Sequence, residues 1–86
     1  QAPERIAKKF QFSDTEMRNW FLKELLEDEA QNGHHGKILI DGLEIVVEVY
    51  THDVDAVTEL DLEYAKRCDD IYGDVGILGE LGYGYR

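Results

Sequence analysis

The chain has 86 residues and a formal net charge of −10, from 19 acidic and nine basic side chains. A chain of this length forms one domain with a modest core, so we expect it to associate with a second copy of itself. Its negative charge opposes attraction to nucleic acid or to anionic membranes, and no apolar run approaches the roughly 20 residues that span a bilayer. We therefore expect a soluble, cytoplasmic protein that binds neither nucleic acid nor membrane.

The first predicted elements are a strand and a helix. Apolar and polar residues alternate over residues 5–12, which is typical of a half-buried strand. Residues 13–16, Ser-Asp-Thr-Glu, form a capping-box pattern, in which Ser13 would be the N-cap of the helix. Apolar residues then recur with helical spacing, and Gly33 is a stop signal. The helix is expected to run to about Asn32.

A β-hairpin is predicted next. Positions 41 and 42, Asp-Gly, lie between apolar stretches at residues 37–40 and 43–51, and glycine accepts the positive φ of a type I′ turn. This turn would place Ile40 opposite Leu43 and would put the apolar side chains of both strands on one face. We expect the second of these strands to form the sheet edge at which two copies pair.

The end of the chain predicts a second helix and a tail. Thr58 is a candidate N-cap for a helix over residues 58–72, with acidic residues first and basic residues later. The order strand, helix, strand, strand, helix indicates an α+β fold, an antiparallel sheet with helices packed on one face. We assign residues 1–72 to this domain and residues 73–86 to a glycine-rich apolar tail. The tail is either a flexible linker or an adhesive segment that orders on a partner.

Three histidines are the candidate chemical residues. Gly33 and Gly36 bracket His34 and His35 and permit an irregular turn there. The hairpin brings His52 back towards this pair, so we expect all three rings to converge at one edge of the sheet. Imidazole can supply both an acid and a base near neutrality. Proton transfer or ligand binding, a three-histidine zinc site, and turn residues without a function all remain open at this point.

The spacing of these residues resembles that of the pterin-4a-carbinolamine dehydratase family. That family has a His-His pair, a hairpin, a Thr-His-Asp or Thr-His-Glu triplet and a Leu-Thr-Glu-x-Asp-like helix start. Here the corresponding residues are His34-His35, residues 51–53 and residues 58–61, and they match without gaps. Residues 5–12 are similar to the family's strand ending in Arg-x-Phe-x-Phe. The resemblance covers about residues 5–72.

The resemblance implies a sheet with helices on one face and a dimer, sometimes a dimer of dimers, built through sheet edges. The family enzyme dehydrates a 4a-hydroxytetrahydropterin to a quinonoid dihydropterin and needs no cofactor or metal. By this resemblance the catalytic residues, which bind the pterin and move protons, are His34, His35 and His52. The substrate-binding residues are Asp61, Thr51 and Asp53.

Several positions depart from the family pattern. The proline after the histidine pair is Gly36, the arginine before Asp61 is Leu60, and the carboxylate expected four residues before the pair is Ala30, with Glu29 one position away. These departures indicate a degenerate site with absent or very weak dehydratase turnover. They resemble a non-catalytic branch of the family that assists Rubisco assembly, including proteins linked to α-carboxysomes.

The leading hypothesis from sequence is therefore a Rubisco assembly factor rather than an enzyme. Its client would be the Rubisco subunits, and its location would be the cytoplasm or the carboxysome. The alternative is an active 4a-hydroxytetrahydrobiopterin dehydratase that binds a pterin and uses the three histidines.

Overall fold

The computed structural model describes residues 5–50 and 56–80, with side chains described as far as residue 76. The elements in chain order are β1 (Ile6–Gln11), α1 (Thr15–Asn32), β2 (Lys37–Asp41), β3 (Glu44–Val49) and α2 (Glu59–Glu80). The three strands form an antiparallel sheet in the order β1-β3-β2. One face of this sheet joins both helices in a single apolar core, so the α+β fold predicted from sequence is confirmed. No helix among the described residues is long and apolar enough to cross a membrane.

Helix α1 begins one residue later than the capping-box pattern indicates. Its N-cap is Asp14 rather than Ser13, because the Asp14 carboxylate accepts a hydrogen bond from the Met17 amide at 2.8 Å. A carboxylate at this position also interacts favourably with the positive end of the helix dipole. The predicted end of the helix is confirmed, since Gly33 adopts a left-handed φ of 70° and its N–H donates to the Glu29 carbonyl.

The hairpin register differs from the prediction by two residues. The two-residue loop is Gly42-Leu43 rather than Asp41-Gly42, so Ile40 lies opposite Ile45. This loop adds an Asp41–Glu44 pair to the ladder while Gly42 keeps the positive φ, 60°, that the turn requires. Because the shift is an even number of residues, the side chains keep their predicted faces. The core residues of β3 are Ile45, Val47 and Val49.

Strand β3 lies in the middle of the sheet, so the prediction that it forms the dimer edge is wrong. It pairs with β2 through the hairpin and with β1 through a register that places Phe10 opposite Ile45. The alternating apolar residues of β1 lie beside those of β3 and extend the same core face. Within the described sheet, the free edges belong to β1 and β2. Dimer formation itself remains a prediction.

Helix α2 continues eight residues beyond the predicted end at residue 72, and the proposed boundary between domain and tail therefore falls inside it. Its apolar stripe of Tyr64, Cys68 and Ile71 extends to Val75, which is only 2% exposed. Burial of a valine side chain contributes about 1.5–3 kcal/mol, which is comparable with the combined cost of about 3 kcal/mol for the three glycines in this part of the helix. The flexible-linker hypothesis is therefore wrong for residues 73–80, and residues 81–86 lie outside the described part.

Candidate functional site

His34 and His35 lie in the four-residue loop that joins α1 to β2. The Nε2 atom of His34 is 2.6 Å from Oδ1 of Asp61, near the start of α2, and the His34 side chain is 19% exposed. An ionised carboxylate can only accept a hydrogen bond, so the His34 nitrogen that faces it carries the hydrogen. His34 is therefore held in one orientation by a short, largely buried contact.

Asp61 is fixed by the beginning of α2. Its side chain is fully buried, and its second oxygen, Oδ2, accepts from the Thr58 backbone N–H at 2.9 Å and from the Thr58 hydroxyl at 3.2 Å. The residue three positions into a helix is suited to reach back to the N-cap amide in this way. Thr58 thus precedes the helix as the sequence indicates. The substrate-binding role assigned to Asp61 by resemblance remains a prediction.

The partner of His35 is Glu29, in the last turn of α1. The His35 Nδ1 atom is 3.4 Å from Oε1 of Glu29, a long hydrogen bond that leaves the imidazole 68% exposed. The other carboxylate oxygen, Oε2, accepts from the Gly36 N–H at 3.0 Å and from the Tyr64 hydroxyl. Only 7% of the Glu29 side chain is exposed. His35 is therefore open to solvent, whereas the carboxylate behind it is almost completely buried.

Glu29 and Tyr64 are not among the site residues predicted from the sequence, in which Glu29 is noted only as a carboxylate one position away from the expected one. Glu29 continues the buried stripe of Phe21 and Leu25 at a spacing of four residues, so an acidic residue on an apolar stripe was the available signal. Position 30 lacks the expected carboxylate, but Glu29 at the preceding position places one beside His35. Burial and the hydrogen bond to Glu29 raise the pKa of Tyr64 well above its ordinary value, so its hydroxyl remains a neutral donor.

A pocket of about 300 Å³ lies beside His35. Its lining residues are Arg5, His35, Gly36, Lys37, Glu48 and Tyr50. The Arg5 guanidinium contacts the Glu48 carboxylate at 2.9 Å and lies 5.6 Å from the centre of the Tyr50 ring. An aromatic ring beside charged groups of both signs suits a flat, polar ligand, and the volume is at the lower end for small-molecule sites.

The remaining predicted site residues, Thr51, His52 and Asp53, lie outside the described residues. The convergence of His52 with the other histidines therefore remains a prediction. Among the residues that the structure describes, no group of three or more His, Cys, Asp or Glu side chains could hold a metal ion. Burial, with nearby acidic groups, raises the pKa of Cys68 to about 12, which keeps its thiol protonated and unreactive.

The family was identified by comparison with known proteins. A family model described as pterin 4 alpha carbinolamine dehydratase matches residues 1–71. This chain belongs to that dehydratase family. A relative from Saccharolobus solfataricus, named for the same dehydratase, is 34% identical over 68 residues, which are 79% of this chain and 70% of the relative. A similarly named relative from Thermosynechococcus vestitus is 32% identical over 66 residues, 77% of this chain and 70% of the relative.

Two solved structures of pterin dehydratase-like proteins have the same fold. The first is a transcriptional coactivator/pterin dehydratase from Brucella melitensis, with a TM-score of 0.77 and 26% identity over 81% of this chain and 74% of that one. The second is a pterin dehydratase-like protein identified as a RuBisCO assembly factor in the α-carboxysome. Its TM-score is 0.74 with 21% identity, over 83% of this chain and 82% of that one. At that identity the second likeness concerns the fold alone.

Proposed function

We propose that this member of the dehydratase family is a working pterin dehydratase whose histidine loop performs acid–base chemistry. The observation that carries the proposal is that His34 and His35 each face a separate buried carboxylate, Asp61 and Glu29. The sequence alone favours a degenerate site because several positions, among them 30, 36 and 60, depart from the family pattern. Since Glu29 reaches His35 from the preceding position, the departure at position 30 no longer argues against catalysis.

The chemistry of the reaction explains why two oriented histidines are useful. Dehydration of a 4a-hydroxytetrahydropterin breaks the C4a–O bond, and the leaving hydroxyl needs a proton to depart as water. A C4a=N5 double bond forms as N5 loses its proton, so one group must give a proton and another must take one. Acid–base groups placed in this way contribute about 10²- to 10⁴-fold in rate.

His35 is the better candidate for proton transfer to or from the substrate. Its Nδ1 faces Glu29, which leaves Nε2 as the nitrogen able to accept a proton, and the ring lines the 300 Å³ pocket. His34 is more buried and is held by Asp61 at 2.6 Å, which suits substrate binding and orientation. His52 is the third proposed histidine, as the resemblance implies, with Thr51, Asp53 and Asp61 as proposed substrate-binding residues.

A dehydratase assay tests this proposal. The wild-type chain is expected to accelerate decay of a 4a-hydroxytetrahydropterin, and His35→Ala to reduce kcat by about 10²- to 10⁴-fold because it removes the proposed base. Gln31→Ala is the matched control, since Gln31 is an exposed residue near the end of α1. A wild-type rate equal to the uncatalysed rate, or a His35→Ala variant as active as wild type, would contradict the proposal.

A second candidate function is assembly of Rubisco, and one surface feature favours it. Leu60 and Leu62 are each 57% exposed on either side of Asp61, and apolar side chains so exposed are suited to protein contacts. Position 60 is also where the family pattern has arginine. The net charge of −10 would speed encounter with a basic surface on a client. The fold shared with the α-carboxysome assembly factor supports this candidate without assigning a client.

Co-expression with Rubisco subunits tests the second candidate, with assembled holoenzyme as the measured quantity. If the chain is an assembly factor, it should raise the yield, and a variant with His34, His35 and His52 all changed to alanine should still do so. Leu60→Ser with Leu62→Ser should lower the yield, because this change removes the apolar contacts and leaves the core intact. A wild-type yield no higher than that of an empty vector would eliminate this candidate.

A further inference from the structure

Tyr64 contacts His34 of the histidine loop and Glu29 beside that loop. Its hydroxyl donates to Oε2 of Glu29, and its ring meets the ring of His34 edge-on, with centroids 6.0 Å apart and planes at 74°. Tyr64 is fully buried on the core face of α2. A rigid, buried side chain that contacts both carboxylate–histidine pairs is well placed to set their geometry.

The two oxygens of Glu29 have separate tasks. Oε2 accepts two hydrogen bonds, from the Tyr64 hydroxyl and from the Gly36 N–H, while Oε1 faces Nδ1 of His35. Two donors on one oxygen fix the plane of a carboxylate more firmly than one. The direction in which Oε1 points, and hence the hydrogen bond offered to His35, therefore depends on Tyr64 and Gly36.

Gly36 fits this arrangement in two ways. A Cβ atom at position 36 would lie 2.9 Å from the Tyr64 hydroxyl oxygen, too close for an ordinary Cβ contact, and at a tight 3.2 Å from the Glu48 carbonyl oxygen. The N–H that donates to Glu29 would also be absent from a proline. Glycine at this position thus leaves room for the Tyr64 hydroxyl and keeps the N–H that donates to Glu29.

We infer that Tyr64 is a positioning residue: together with the Gly36 amide, it fixes Glu29 so that this carboxylate holds His35 with its hydrogen on Nδ1. The inference extends the proposed function, because the same tautomer leaves Nε2 of His35 as the base. The buried hydroxyl stays protonated at all physiological pH values, since burial raises the pKa of Tyr64. The charged groups that share the pocket with His35 are Arg5, Lys37 and Glu48.

The test compares Tyr64→Phe with the wild-type chain by nitrogen–proton NMR of the His35 ring, at a pH where imidazole is neutral. Wild type is expected to hold His35 mainly as the Nδ1–H tautomer, and Tyr64→Phe to shift the ring mainly to Nε2–H. If the chain is a dehydratase, kcat should fall about 10- to 100-fold, the range found for groups that orient metal-binding histidines through a hydrogen bond, with little change in KM.

Tyr72→Phe is the matched control. Tyr72 lies on the same helix, and its hydroxyl donates to the Gln11 carbonyl at 2.7 Å, at the far end of β1 from the pocket. Its removal should leave the tautomer and kcat unchanged. Gly36→Ala perturbs the same hydrogen bond without changing Tyr64, because the added Cβ would displace the Tyr64 hydroxyl. It should shift the His35 tautomer as Tyr64→Phe does.

The outcomes separate this inference from the proposed function. An unchanged His35 tautomer in both Tyr64→Phe and Gly36→Ala would overturn the positioning role, whether or not the wild-type chain dehydrates a pterin. A shifted tautomer in an inactive wild-type background would support the positioning role and overturn only the dehydratase. Should Tyr64→Phe fail to fold, the tautomer in Gly36→Ala decides the question.

Discussion

Val47→Asp is expected to destabilise the chain by several kcal/mol, a large share of its total stability. Val47 is 2% exposed in the central strand of the sheet, and its neighbours in the core are apolar side chains from both helices. Burying a carboxylate there without a partner costs several kcal/mol or forces the group to become protonated. The total stability of a domain of this length is roughly 4–13 kcal/mol. Circular dichroism and urea unfolding would measure the loss.

Val46→Asp is the control for this change. It makes the same substitution one residue earlier in the same strand, where the side chain points to the opposite face of the sheet and is only partly buried. We expect a cost of no more than about 2 kcal/mol, within the range of ordinary substitutions. Equal stability of Val47→Asp and wild type would mean that the core lies on the wrong face of β3.

Glu29→Ala should destabilise the chain by about 2–5 kcal/mol. Its removal leaves the Tyr64 hydroxyl and the Gly36 N–H without their acceptor, and each buried unsatisfied group costs about 1–3 kcal/mol. Relief of the cost of burying a carboxylate offsets part of this loss. The measurement is the free energy of unfolding in urea. The same substitution also removes the hydrogen-bond partner of His35.

The matched control for this variant is Glu27→Ala. Glu27 is an exposed acidic residue two positions earlier on α1, so its removal should change stability by no more than about 0.5 kcal/mol. If both variants lose the same small amount, Glu29 does not hold the network in solution. The contact between Glu29 and His35 would then not support an acid–base role for His35.

The architecture could be predicted from sequence because its signals are local. Alternation in β1, the apolar stripe of α1 and Gly33 at its end each depend on a few neighbouring residues. The hairpin register and the N-cap were each misplaced because two adjacent residues offered the same chemistry. Ser13 competed with Asp14 for the cap, and Gly42 could occupy either position of the two-residue turn.

The errors of longer range have a different cause. The order of the strands depends on which strand pairs beside Phe10, and the end of α2 depends on the burial of Val75 in the core, neither of which a local pattern contains. The candidate site combines both kinds of information. The histidine pair was identified from its spacing, whereas Glu29 and Tyr64 come together only when α1 and α2 pack, 35 residues apart in sequence.

Asp61 links the first turn of α2 to the histidine loop, because its carboxylate contacts residues of both. The carboxylate accepts a hydrogen bond from Thr58 at the start of α2 and another from His34 in the loop. Because both bonds depend on the position of one side chain, a change in either affects the other. A ligand that binds His34 and stabilises its contact with Asp61 must also protect the first turn of α2 from opening. By reciprocity, fraying of that turn must lower the affinity for the ligand. Slower hydrogen exchange at the amides of Asp61 and Leu62 would therefore register a ligand that binds His34.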